Sequence, residues 1–112
     1  MEIRDESVGD TCVVTAIGRL DGSASAAFAE RVGGLIANPN PNLLIDFAGI
    51  DFVTSAGLRA VLLLVKKVKA IGGSFALCGV QDSVREVLDI AGFTGMLDIY
   101  PARAGAIAAM TG

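Results

Sequence analysis

With 112 residues and 53 % hydrophobic content, the chain is long enough for one domain, 1–112, with its own core, and too apolar for a disordered segment. Twelve acidic against nine basic side chains leave a formal charge of −3, which argues against nucleic acid as a partner, because phosphate-backbone binding needs a basic surface. Histidine is absent, and with it go Ser-His-Asp and Cys-His catalysis, histidine phosphotransfer and most zinc sites.

The first ten residues, MEIRDESVGD, are charged and hold no apolar signal-peptide core. They are expected to pair as an antiparallel edge with the next segment, turning at Gly9-Asp10. That segment, TCVVTAIGRL (Thr11 to Leu20), is a β-branched run and reads as a strand. In DGSASAAFAERVGGLIANPNPN the period changes: Ala27, Phe28, Val32, Leu35 and Ile36 recur at helical spacing, and Asn38-Pro39-Asn40-Pro41 stops the helix. NLLIDFAG follows as a continuous apolar strand, the pattern of a sheet covered on both faces.

Residues 51–73, DFVTSAGLRAVLLLVKKVKAIGG, predict a helix running to about Ile71 with Gly72-Gly73 at its C-cap. Its apolar run, Ala60 to Val65, stops at Lys66-Lys67, far short of the roughly 20 residues that cross a bilayer. Lys66, Lys67 and Lys69 suit the negative end of the helix dipole. SFALCGV reads as a short buried strand. QDSVREVLDIAGF reads as a helix capped by Asp82 or Ser83, with Val84, Val87, Leu88 and Ala91 inward and Gly92 as its stop. MLDIY is a last strand and ARAGAIAAMTG a weakly specified final helix. Cys12 and Cys78 sit in apolar runs and read as buried thiols. A soluble, cytoplasmic protein without membrane insertion, metal or cofactor is the expectation.

Strands alternating with helices predict an α/β domain with a mixed, mostly parallel sheet of four to five strands and about four helices. Sites in such sheets gather beyond the carboxyl ends of the strands. Two loops qualify, GRLDGSAS and GIDFVTSAG, and parallel neighbouring strands would bring Asp21 and Ser55 to the same end.

The helix after the second loop begins with Thr54, Ser55, Ala56 and Gly57. One hydroxyl suffices as an N-cap, at a gain of about 1 kcal/mol, yet two stand in tandem. Gly57 costs about 1 kcal/mol relative to alanine, which calls for compensation such as the close approach of another backbone. A helix start also tolerates a phosphoryl group, through its free N–H donors and positive dipole end.

Taken together, GRLDGSASAAF, LLIDFAGIDFVTSAGLRAVLLLVKKVKAIGGSFALCGV and VREVLDIAGFTGMLDIY resemble the STAS domain of bacterial anti-sigma factor antagonists, over nearly the whole chain. The family's loop-to-helix motif, commonly Asp-Ser-Ser-Gly-Leu, falls on Thr54-Ser55-Ala56-Gly57-Leu58. Leu20-Asp21, Gly72-Gly73 and Ala91 to Phe93 match as well. The resemblance implies a partner switch that binds an anti-sigma factor, itself a GHKL-type serine kinase, and so frees a sigma factor. Phosphorylation would break the complex and a serine phosphatase would restore it. The implied phosphoacceptor is Ser55, with Thr54 as the alternative. The implied partner-binding residues are Asp21, Gly22, Ser23, Thr54, Ser55, Ala56, Gly57 and Leu58. Thr54 replaces the family's usual Asp, which removes a negative charge beside the acceptor, and Ala56 replaces its second Ser. Apolar positions Phe52, Val53 and Leu58 offer either contact area or core packing. STAS domains also occur in sensor complexes, as small-ligand units and in transport systems, which gives a second reading within the resemblance.

Two other classes fit less well. SAG around Ser55 suggests a nucleophile elbow, but Val53 stands where G-x-S-x-G needs its leading glycine, and no histidine can act as base. No catalytic residue is therefore assigned. A receiver domain would need an acidic pair after its first strand and a lysine after its last; Gly9-Asp10 and MLDIYPAR supply neither. Asp46, in LLIDF, reads instead as a strand-end residue bonding nearby loop N–H groups.

Overall fold

A computed structural model describes residues 1–36 and 41–111. Its elements run β1 (Glu2–Val8), β2 (Thr11–Leu20), α1 (Ser25–Gly33), β3 (Asn42–Val53), α2 (Ser55–Ala70), β4 (Ser74–Cys78), α3 (Asp82–Ile90), β5 (Asp98–Tyr100) and α4 (Arg103–Thr111). α1 ends earlier than expected, at Gly33 with Gly34 as C-cap, so Leu35 and Ile36 follow the helix rather than belong to it. Of the expected stop Asn38-Pro39-Asn40-Pro41, the first three residues lie outside the described residues.

The five strands form one sheet in the order β1-β2-β3-β4-β5. β1 and β2 are antiparallel across a turn at Gly9, whose φ is 62°, and the other neighbours are parallel. A sheet that grows in one direction through same-handed crossovers must place all its crossover helices on one face. Accordingly Phe28 and Val32 of α1, Leu58, Ala60, Val61, Leu64, Val65 and Val68 of α2, and Val84 and Leu88 of α3 share one core with Val14, Leu20, Ile45, Phe47 and Leu77. α4 has no strand to reach and folds onto the opposite face, packing Ala106 on Val13, Leu44, Ala76 and Cys78. Leu43, Leu44 and Ile45 are therefore all buried, as an apolar run in a doubly covered strand requires. β1 remains an edge strand with charged, mostly exposed side chains, which discourage further pairing.

α4 presents few large apolar groups, and an arginine at its start secures it. Arg103 donates from Nε and Nη2 to Asp46 Oδ2 at 3.2 and 3.0 Å, from Nη1 to Glu6 Oε1 at 2.9 Å, and from Nη2 to Thr15 Oγ1 at 2.6 Å. One guanidinium thus spans β1, β2 and β3. Asp46 lies inside β3 rather than at its end, and the N–H it accepts, from Ala48 at 2.9 Å, belongs to the same strand and not to a loop; its second oxygen belongs to Arg103.

Several boundaries differ from expectation. β3 continues to Val53, so most of the expected GIDFVTSAG loop is strand and Thr54 alone separates it from α2. The extension arises because Ile50 and Val53 enter the core while the strand stays paired with β2. α3 is preceded by Gln81, not capped by Asp82 or Ser83; the Gln81 side chain donates to the Ala48 carbonyl at 2.9 Å instead. Asp82 falls in the first turn, where its charge suits the helix dipole. Ala27 and Ala91 are exposed, because the side chains that α1 and α3 bury are Phe28, Val32, Val84 and Leu88. α2 ends at Ala70, with Ile71 as C-cap followed by Gly72 at φ 78°. Cys78 is buried and Cys12 half-buried, both free. Burial is the main cause that pushes the Cys78 thiol up to about 11, and Asp46 adds to it. Among the described residues no helix is long and apolar enough to cross a membrane.

Candidate functional site

The last paired residues of β2 and β3 are Leu20 and Val53. The chain therefore leaves the sheet side by side as Asp21 and Thr54, at the carboxyl ends of two adjacent parallel strands. The Leu20 carbonyl joins the two exits. It accepts from Thr54 N at 3.1 Å and from Thr54 Oγ1 at 3.5 Å. It also fills the space that a β-carbon on residue 57 would need, and Leu20 Cγ would stand 2.9 Å from such an atom. Gly57 is the residue that lets the first turn of α2 lie on the end of β2, which accounts for a weak helix former at that position.

Thr54 occupies the N-cap with extended backbone, φ −101° and ψ 175°, and its hydroxyl accepts from Gly57 N at 3.4 Å. Its oxygen is thus committed to the helix start and to Leu20. Ser55 is the first helical residue and is exposed. Among the described residues its hydroxyl has no hydrogen-bond partner. Ala56 is half-buried, while Gly57 and Leu58 are buried and shape the surface from beneath. Val53 packs in the core.

Asp21 is built into the turn that launches α1. Its Oδ1 accepts from Ser23 N at 3.0 Å, Ser23 Oγ at 2.7 Å and Ala24 N at 3.1 Å. Its own carbonyl accepts from Ala24 and Ser25 N–H. The Ser23 hydroxyl is the chief reason the Asp21 carboxyl lies below the usual carboxylate range. Partial desolvation opposes that effect, and the Ala24 and Ser23 N–H groups and the Arg19 charge reinforce it. Gly22 and Ser23 are exposed beside it. The free Oδ2 faces Arg19 Nε at 3.9 Å.

Arg19 brings in a feature that strand alternation does not reveal. Its guanidinium lies 4.2 Å from the centroid of the Phe52 ring, its register partner on β3. Phe52 is 40 % exposed and Ile17 41 %, so both are surface residues, with Met1 packed against Gly18 beside them. Irregularities between Thr15 and Ile17 and between Gly18 and Arg19 shift the register there and reorient the side chains. The result is an apolar patch with a guanidinium plate, running into the Asp21 and Ser55 turns. Arg59, one helical turn past Ser55, is exposed on α2.

Chemically, the arrangement offers an exposed hydroxyl with no hydrogen-bond partner among the described residues, a carboxylate held charged and an apolar patch beside them. Among the described residues no group of three or more Cys, Asp or Glu side chains could hold a metal ion. A depression of about 410 Å³ on the α4 face is lined by Arg4, Glu6, Val13, Thr15 and Arg103 among others. Its Arg103 is already engaged by Asp46, Glu6 and Thr15.

Comparison with known proteins places these features in context. The model of the STAS domain family matches residues 2–106. BtrV of Bordetella bronchiseptica, named as a candidate anti-sigma factor antagonist, is 33 % identical over 94 residues, covering 80 % of this chain and 81 % of its own. An anti-sigma factor antagonist from Mycobacterium paratuberculosis has the same fold, with a TM-score of 0.89 and 22 % identity, over 99 % of this chain and 94 % of that one. SpoIIAA, a Bacillus cell fate determinant solved in its phosphorylated form, superposes with a TM-score of 0.73 at 22 % identity, over 96 % of this chain and 97 % of its own.

Proposed function

We propose that this chain, which belongs to the STAS domain family, is an anti-sigma factor antagonist controlled by phosphorylation of Ser55. With a free Ser55 hydroxyl it binds an anti-sigma factor that is also a GHKL-type serine kinase, and a sigma factor is released. In the bound kinase, Ser55 Oγ attacks the γ-phosphorus of ATP and the bond to the β-phosphate oxygen breaks. ADP leaves, and the hydroxyl proton passes to a base on the kinase. A serine phosphatase returns the hydroxyl by hydrolysis.

The observation that carries this reading is the Ser55 hydroxyl itself: exposed, without a hydrogen-bond partner among the described residues, and next to the Asp21 exit across the Leu20–Val53 pair. Thr54, the other hydroxyl, is engaged in capping, which favours Ser55 as acceptor. The relationship to BtrV and the existence of a phosphorylated relative of this fold support the same reading.

Docking needs area as well as a switch. The Arg19–Phe52 plate with Ile17 supplies exposed apolar surface beside the Asp21, Gly22, Ser23 and Thr54 to Ala56 turns. Aromatic and arginine anchors of this kind dominate binding energy in protein interfaces. A phosphoryl group adds about −1.5 to −2 charges beside a carboxylate that its hydrogen bonds keep ionised. Repulsion and desolvation of that group in the interface need total only about 2.7 kcal/mol to weaken binding a hundredfold.

The test is to incubate the protein with ATP and a GHKL-type serine kinase that it binds, then map the product by mass spectrometry of peptide 51–73. One phosphate on Ser55, absent in Ser55→Ala, is expected. Phosphate on Thr54 alone, or none, contradicts the assignment.

A further inference from the structure

We infer that Arg59 is the intramolecular counter-ion of a phosphoryl group on Ser55, so that one modification adds a dianion to the docking surface and withdraws a free guanidinium from it. This rests on the reading of Ser55 as phosphoacceptor. α2 is regular from Ser55 to Ala70, and residues four apart on a helix lie on one face with β-carbons about 5–6 Å apart. Helical side chains lean toward the N-terminus, so the long Arg59 side chain extends back over the turn that Ser55 begins.

Arg59 is also uncommitted. Arg4, Arg19, Arg31 and Arg103 each have a carboxylate partner. Arg59 is exposed and has no ion pair, hydrogen bond or ring contact among the described residues. Other charged groups toward this end of the sheet include Arg19, Asp21, Asp51, the Met1 amino group and, in the first turn of α3, Asp82 and Arg85. Arg19 is stacked on Phe52 and turned to Asp21, and the carboxylates repel a phosphate. Arg59 is the cation that shares a helix face with Ser55 one turn on, which places it to fold over a phosphate there. Arginine suits the task, since its fork of N–H donors matches phosphate oxygens two at a time. In the unmodified protein the same guanidinium is available to an acidic group on the partner. Phosphorylation would then remove that contact as well as adding repulsion.

The experiment uses the full chain with phosphoserine installed at position 55 during translation, as the otherwise native sequence and as Arg59→Gln. Phosphorus NMR against pH measures the second proton dissociation of the phosphate, and the Arg59 Nε–H signal is followed by nitrogen-15 NMR. A nearby cation favours the dianion, so the dissociation constant should be about two- to fivefold larger with Arg59 than with Gln. The Arg59 Nε–H signal should shift only when the phosphate is present. Equal dissociation constants, or an Arg59 signal indifferent to the phosphate, overturn the inference. Because no kinase installs the group, a failure of kinases to modify Ser55 would remove the proposed function and leave this result unaffected.

Discussion

The Leu20 carbonyl oxygen occupies the space that a β-carbon on Gly57 would take, so the end of β2 and the first turn of α2 meet backbone to backbone. That contact sets the position of everything that follows it. Thr54 donates to the same carbonyl, and Ser55 is thereby carried to the exit of Asp21.

Gly57→Ala tests the contact against helix propensity. Alanine is favoured in a helix by about 1 kcal/mol, whereas overpacking costs about 1–3 kcal/mol, and a backbone carbonyl cannot rotate away. The variant should show a net loss of up to about 2 kcal/mol in urea unfolding. A gain in stability would show that the turn has room to spare.

Thr54→Ala removes the cap and should cost about 1 kcal/mol, with Thr54→Ser recovering most of it. Neither change should abolish phosphorylation at Ser55, because the Thr54 oxygen serves the helix and not the acceptor. Mass spectrometry of both variants after kinase treatment checks this.

Asp21 should titrate below the ordinary carboxylate value of about 3.9, and Ser23→Ala should move it upward, since the Ser23 hydroxyl is the chief cause of the shift. A carboxyl whose folded pKa is depressed contributes stability that is present above the unfolded value and is lost as pH falls through the folded one. The stability advantage of the native protein over Asp21→Asn should accordingly shrink as pH falls through and below that range. Carbon-13 NMR of the side-chain carboxyl and acid unfolding measure the two effects.

Phe52→Ala should change stability by less than about 1 kcal/mol, since the ring is 40 % exposed. Its affinity for the kinase should nonetheless fall by about tenfold or more, as for an interface anchor. Calorimetric titration gives the number. An unchanged affinity would take the Arg19–Phe52 plate out of the docking surface.

The helix start was readable in the sequence because it violates local preference: two hydroxyls and a glycine where a long apolar helix begins. The close backbone approach expected at Gly57 is present, and Leu20 makes it. The alternation of strands and helices was equally readable, since period and turn residues are local. The Arg19–Phe52 plate was not, because register shifts between Gly18 and Arg19 undo the simple two-residue alternation. The start of α3 was misread for a related reason: Gln81 spends its side chain on Ala48, a contact distant in sequence. α4 was faint because its seat depends on Arg103 reaching three strands, a relationship that composition does not encode.

The most direct test compares the dissociation constants of unmodified and Ser55-phosphorylated protein for the GHKL-type kinase, measured in the same buffer. The account predicts tight binding by the free hydroxyl form and binding weakened about a hundredfold by the phosphate. Equal affinity of the two forms would contradict it.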